Sequence, residues 1–424
     1  MINILIFILA TLSLVLTVQG IYNLYLLLYA WENPDRIEKN KSPRIFTRPE
    51  KTFTAIIPAR HEENVIADTI RAVSKIDYPI EMTEIIVVLR EDDLETIKAA
   101  QEAITMLGKR HARLVIFTGF PINKPHGLNI AMQYARNEVV GIFDAEDEPH
   151  HNIYNIVNTV MVRDNADVVQ SGVQLINFHS NWYSSFNVME YFFWFKSCLQ
   201  FFAAKGVIPL GGNTVFFKRA WLTVVNGWDE NCLTEDADIG LKLSMKGAKI
   251  RVVYDAEHAT QEETPPTLQG FIKQRTRWNQ GFMQIIKKGE WKKLPTARQR
   301  FLALYVLGWP IIQAFLFLAL PVSIITSFAI KLPVWITLLS TLPLYLLLLQ
   351  MAVAIVGLKE FTKEYNLHMP FYYPLKLALS FIPYQLLLGY SSLRALSHYI
   401  QSKTAWEKTV HINAHRAKAA FTVK

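Results

Sequence analysis

Glu138-Val139-Val140-Gly141-Ile142-Phe143-Asp144-Ala145-Glu146-Asp147 (138–147) is the stretch whose reading decides the fold class. Five apolar residues run directly into three acids within four positions. An apolar run this short and unbroken reads as a strand buried on both faces, as in a parallel sheet covered by helices. The same texture recurs in TAIIPA (54–59), EIIVVL (84–89), LVIFT (114–118) and DVVQSGV (167–173), with helix-like stretches between most of them. Alternation of that kind predicts an α/β domain on a parallel, doubly wound sheet. Such sheets bind ligands at the carboxyl ends of their strands, so the carboxylates of 144–147 are expected at the functional edge.

Around this domain the chain is unusually apolar. Of 424 residues 51% are hydrophobic and 19% charged, and mean hydropathy is +0.16, which implies membrane segments. Residues 2–32 are almost uncharged and longer than the roughly 20 residues a bilayer crossing needs. The run is too long for a cleaved signal peptide and lacks a basic leader. Further apolar stretches lie near 301–329, 333–357 and 371–396, the first carrying Pro310 and Pro321. The expected organisation is an N-terminal transmembrane helix (1–32), an α/β domain (33–300), membrane or interfacial helices (301–400) and a basic tail (401–424). Lys/Arg density in 33–300 points that domain to the cytoplasm of an integral plasma (inner) membrane protein. An inside tail then requires one later stretch not to cross, and 301–315 is expected to lie along the interface. EYFFWFKSCLQFFAA (190–204) reads equally as an interfacial or a buried core helix.

The net charge of +8 and pI near 9.2 are compatible with nucleic acid, anionic lipid or a phosphorylated substrate. No basic run interleaved with aromatics forms a nucleic-acid module, which leaves membrane lipids and a phosphate-bearing ligand. Cys198 and Cys232 have no metal-ligand spacing and are expected as free thiols, so neither a zinc site nor a disulfide framework is expected.

Four loops carry candidate chemistry. IIPARHEENVI (56–66) ends a strand and opens a helix, which brings Ala59 and Glu63 to the binding edge, although acids there also suit a helix N-terminus. Glu91, in Arg90-Glu91-Asp92-Asp93, is placed to bond a base or ribose, or to sit in a solvated turn. Lys124, followed by Gly127 at a helix start, suits a phosphate. Asp144, Glu146 and Asp147 repel one another unless a cation joins them. Mg²⁺ bridging diphosphate oxygens would do so, and the rival reading is a cap for a helix near 149–163. Thr234-Glu235-Asp236 makes a complete helix cap with first-turn acids. Beside Gly211-Gly212-Asn213, the same carboxylates are also placed to serve as general base. Gln274, Arg277 and Trp278 share one helical face, fit for a diphosphate and a sugar ring or for a helix lying on a membrane.

Together PARHEEN (58–64), DAED (144–147), TED (234–236) and QRTRW (274–278) resemble the family 2 glycosyltransferases, in particular the inverting membrane-bound branch of cellulose, chitin and hyaluronan synthases. IPLGGN (208–213) and GWDENCLTEDADIGLKL (227–243) extend the likeness across most of 50–290. The resemblance implies a GT-A fold, a UDP-sugar donor and one Mg²⁺ or Mn²⁺. It implies Asp236 as base and Asp144 with Glu146 or Asp147 at the metal and diphosphate. Gln274, Arg277 and Trp278 would contact diphosphate and acceptor, Lys124 the donor, Ala59 and Glu91 the uridine, and Gly212, Asn213 and Glu235 the acceptor. Two positions depart from the pattern. Glu146 followed by Asp147 replaces the usual second Asp, and Leu89-Arg90 replaces an acidic pair before Glu91. Trp406-Glu407-Lys408-Thr409 resembles a cytoplasmic segment after the last membrane helix. The expected reaction is single displacement of UDP from glucose or N-acetylglucosamine by a glycan hydroxyl, repeated into a polymer; one transfer to a lipid carrier or glycolipid is the alternative. A transporter would need ionisable residues within 301–329 and 333–357, which hold almost none.

Overall fold

Ile56 and Ile57 are neighbours in one strand, point to opposite faces, and are both fully buried. Each packs in a different apolar cluster, so the sheet they belong to is covered on both sides. The computed structural model describes residues 2–108, 112–329, 333–403 and 407, and the expected tail, with Trp406, Lys408 and Thr409, falls almost wholly outside them.

In chain order the elements are α1 (Ile2–Glu32), α2 (Pro34–Lys39), β1 (Phe53–Pro58), α3 (Ile66–Ser74), β2 (Thr83–Arg90), α4 (Leu94–Met106), β3 (Ala112–Phe117), α5 (Lys124–Met132), β4 (Val139–Ile142) and α6 (Ile153–Asp164). There follow β5 (Val168–Ser171), β6 (Val173–Leu175), α7 (Ser184–Phe193), α8 (Leu199–Ala204), β7 (Val215–Lys218), α9 (Arg219–Val224), α10 (Glu235–Met245), β8 (Ile250–Val253), β9 (Thr260–Glu262) and α11 (Leu268–Lys288). The chain closes with α12 (Ala297–Ala329), α13 (Val334–Glu364) and α14 (Tyr373–Ile400).

Among the described residues a seven-stranded sheet has the order β3-β2-β1-β4-β7-β5-β8. The expected strands are present, and β3-β2-β1-β4 pair in parallel. The wholly parallel expectation fails beyond β4, because β7 runs antiparallel to both β4 and β5. The stretch 167–173 splits at Gly172, where a Cβ would meet Tyr254 Cδ2 at 2.7 Å. Past it, β6 leaves to pair with β9 in a second small sheet. Helices α3, α4 and α6 cover one face of the large sheet, while α5, α7 and α10 contribute to the cluster on the other. Emptying such a site, as in Ile57→Ala, removes about 2–5 kcal/mol of stability.

Residues 190–204 resolve as core. A π-helical turn, Trp194–Cys198, joins α7 to α8, and Phe192, Phe195, Phe201 and Phe202 are buried. Both cysteines are free and buried. Residues 301–315 lie inside the continuous helix α12, which runs through Pro310 and Pro321, rather than in a separate interfacial segment. Among the described residues, sections of three helices are long and apolar enough to cross a membrane: Ile6–Glu32, Ala297–Ala319 and Val334–Glu364. The helix that falls short is α14, whose buried Ser392 donates to Gln313 of α12 at 2.7 Å and accepts from Asn279 of α11 at 2.9 Å. Asn23 of α1 donates to Gln350 of α13 at 2.9 Å, a polar tie worth about 0.6–2 kcal/mol between apolar helices.

Candidate active site

The turn after β4 is built by its own last acid. Asp147 Oδ2 accepts the Asp144 N–H at 2.8 Å, and its Oδ1 accepts Asn213 Nδ2 at 2.7 Å. Asn213 also donates to Glu262. Asp147 is fully buried, and burial followed by repulsion from Glu262 and Asp144 pushes its carboxyl well above the usual carboxylate range. Its side chain therefore braces the turn and does not line the cavity, whereas Asp144 and Glu146 do. The cap reading fails too: α6 begins at Ile153, with Asn152 in the cap position.

Lys124 opens α5 directly after its cap Asn123 and donates both to Asp144 and to the Gly212 carbonyl, the latter at 2.8 Å. Burial opposes its charge, but Asp144 and Glu235 hold its ammonium above the usual lysine range. Gly212 permits this crowding, since a Cβ there would stand 3.1 Å from Asp236 Oδ2 and 3.5 Å from Lys124 Nζ.

Glu235 and Asp236 occupy the first turn of α10. Thr234 holds the cap position, but its hydroxyl makes no capping bond and is buried without a hydrogen-bond partner among the described residues. It is instead the floor for α11: a Cβ on Gly281 would come within 2.6 Å of Thr234 Cγ2 and 2.8 Å of Thr234 N. That close approach sets the face bearing Gln274, Arg277 and Trp278 against the acids of α10. Glu235 is 4% exposed, and Asp236 is the more accessible of the two. Desolvation, then Asp236, pushes the Glu235 carboxyl up to about 7, and desolvation also raises Asp236.

Arg277 feels Glu235, Asp144, Asp236 and Glu146, although desolvation outweighs them and lowers its pKa. Gln274 Oε1 is buried without a partner among the described residues. Arg275, not singled out in the sequence, pairs with Glu190 and Asn187 and lies 4.9 Å from the Trp278 ring centroid, which fixes the ring. This face of α11 lines a cavity.

These groups line one continuous cavity of about 930 Å³. It contains Ala59, Lys124, Asp144, Glu146, Gly212, Asn213, Glu235, Asp236, Gln274, Arg277 and Trp278. Besides Asp147, two expected residues lie outside it. Glu63 meets Thr96 Oγ1 at 3.5 Å while its neighbour Glu62 lines the cavity, and Glu91 is an exposed residue whose neighbour Arg90 lines it. Glu262 and Glu263 were missed; the acid pair before Pro265-Pro266 was the available signal. Burial, then Glu146 and Asp144, pushes Glu262 up to about 7. Such mutual repulsion is the condition a divalent cation relieves, and the pair open to the cavity, Asp144 and Glu146, fits one.

A mixed sheet whose carboxyl edge feeds an acid-lined cavity, flanked by helices apolar enough for a membrane, is the GT-A class of architecture. Residues 49–281 match the family model described as glycosyltransferase like family 2, and the chain belongs to that family. It is 26% identical over 237 residues to a beta-monoglucosyldiacylglycerol synthase of Nostoc sp., covering 54% of this chain and 48% of that one. It is 25% identical over 258 residues to the poly-beta-1,6-N-acetyl-D-glucosamine synthase of Staphylococcus epidermidis, covering 59% of each. The chain spans about half the length of the curated relatives it matches. In fold it is similar to a mannosyltransferase from Pyrobaculum calidifontis, solved in complex with GDP-Man and Mn²⁺, at TM-score 0.58 and 20% identity over 93% of this chain and 99% of that one.

Proposed function

We propose that the protein transfers glucose or N-acetylglucosamine from a UDP-sugar, with inversion, to the end of a growing glycan. The observation that carries this reading is the extent of the cavity. It begins at the ends of β1 and β4, passes Asp236 and Trp278, and continues between α1, α12, α13 and α14. Donor chemistry and the acceptor's path to the membrane then meet at one carboxylate.

Asp236 takes the proton of the acceptor hydroxyl, whose oxygen forms the new bond to the anomeric carbon. The bond from that carbon to the diphosphate oxygen breaks, and its electron pair leaves with UDP. Arg277 and Lys124 stabilise the departing charge, and Trp278 offers a flat face to a sugar ring. A bound Mg²⁺ or Mn²⁺, held by Asp144 and Glu146, would offset diphosphate charge. The membrane end carries the amides of Asn23, Gln313, Gln350 and Gln385, which suit sugar hydroxyls.

A lipid acceptor is the second reading, favoured by Leu26, Leu27, Val306 and Leu388 at the same end and by the glycolipid product in the Nostoc relative's name. If the three apolar sections cross and α14 lies in the interface, the two crossings after the α/β domain return the tail to the domain's own, cytoplasmic side. The deciding experiment incubates purified protein in detergent with a panel of UDP- and GDP-sugars and scores nucleotide release and product size. Ladders from one UDP-sugar support the glycan reading, one-sugar glycolipids replace it with the second, and release from GDP-sugars alone overturns the donor.

A further inference from the structure

Away from the cavity, Asp255, Glu257 and His258 bring three potential ligand atoms within 4.8 Å of one another. They occupy the turn between β8 and β9, where the backbone N–H of His258 donates to the Asp255 carbonyl at 3.1 Å. The His258 residue is 6% exposed, and its buried Nδ1 has no hydrogen-bond partner among the described residues. Asp255 Oδ2 is its neighbour at 3.9 Å, too far for a hydrogen bond. Arg44 closes the open side, with Nη1 2.6 Å from Glu257 and Nη2 3.3 Å from Asp255. Its side chain is 63% exposed, and it satisfies the carboxylates while leaving the imidazole nitrogen unmet. None of the three ligand candidates lines the cavity.

We propose that Asp255, Glu257 and His258 form a second divalent-cation site, separate from the cavity, for a borderline ion such as Zn²⁺. Two carboxylate oxygens, one imidazole nitrogen and a water make a four-coordinate Zn²⁺ set, whereas Mg²⁺ and Ca²⁺ favour oxygen alone. A dication compensates both carboxylates and engages the buried nitrogen, so it displaces the exposed Arg44. Its place in the fold gives it a structural role. Just before the turn, the Tyr254 N–H donates to the Asn40 carbonyl at 3.2 Å. Just after it, β9 leads to Glu262 and Glu263 on the cavity wall. The ion stiffens the turn between the segment that follows α2 and that wall.

The test titrates Zn²⁺ into the purified full chain in detergent with Mg²⁺ in excess, read by calorimetry and by thermal unfolding. One Zn²⁺ per chain and a raised Tm are expected, both retained in Asp144→Asn. Binding should weaken at least about tenfold in His258→Gln and in Glu257→Gln, and tighten in Arg44→Gln. The Glu257 side chain is 62% exposed, so Glu257→Gln reports even if His258→Gln does not fold. Absence of stoichiometric uptake, uptake unchanged in Glu257→Gln, or uptake lost in Asp144→Asn overturns the proposal.

Discussion

The acids after β4 and the acids opening α10 meet in one cavity, yet their charge is managed in two ways. After β4, Asp147 is held by a backbone N–H and by Asn213, which it shares with Glu262, and both carboxyls are pushed toward the protonated form. At α10, burial raises Glu235 and Asp236 as well, but Lys124 and Arg277 oppose it with positive charge, and Asp236 accepts the Ala237 N–H at 2.8 Å through Oδ1 alone while Oδ2 lies toward Gly212. Asp147 has both oxygens tied to the fold and serves architecture, whereas Asp236 has one tied and keeps the other, beside neighbouring cations, for chemistry.

The largest effect that tests this contrast is expected at Asp236. Asp236→Asn should lower turnover about 10²–10⁴-fold with donor affinity nearly unchanged, as for loss of a general base. Wild-type nucleotide release from that variant would falsify the base assignment. Next come the two aspartates of one turn. Asp144→Asn should remove most activity and the response to Mg²⁺ or Mn²⁺, as EDTA should in the wild type. Asp147→Asn should instead lower stability by about 1–3 kcal/mol, because its one amide oxygen can replace only one of the two acceptors that face the Asp144 N–H and Asn213 Nδ2. Equal metal responses in the two variants would erase the distinction.

Arg277→Lys keeps the charge but loses the forked donor. An expected cost of about 1.5–3 kcal/mol in kcat/KM separates a diphosphate clamp from a point charge. The smallest effect concerns pH. Glu262 is pushed from 4.5 to about 7 in the folded state, so the folded chain holds that proton more tightly than the unfolded one. Its stabilising contribution is complete below about pH 4.5 and disappears as pH rises through 7. In EDTA the wild-type Tm should therefore fall between pH 5 and 8 more steeply than that of Glu262→Gln. Parallel curves would show that this group does not govern the slope.

The parallel strands β1, β2 and β4 were legible because each is an apolar run buried on both faces. The antiparallel direction of β7 was not, since the strand has four residues and its direction is set by partners distant in sequence. Glu63 and Glu91 were read one position away from the residues that line the cavity. At a tight turn, neighbouring side chains point in opposite directions, and only the backbone path says which faces inward. The continuity of 301–315 with the rest of α12 was hidden for a related reason: the helix continues through both prolines, while the less apolar α14 satisfies its polar groups against α11 and α12.

The sequence by itself determined the α/β class, the membrane-spanning composition and the set of acids, cations and aromatic that the cavity gathers, because periodicity and residue chemistry are local properties. Only the tertiary structure decided which acid of 144–147 braces the turn and which opens to the cavity. It also decided that α11 rests on Thr234 through Gly281, and that Asp255, Glu257 and His258 meet behind Arg44. Those outcomes depend on close approach between segments far apart in the chain, where a few tenths of an ångström and one available hydrogen bond separate a structural side chain from a reactive one.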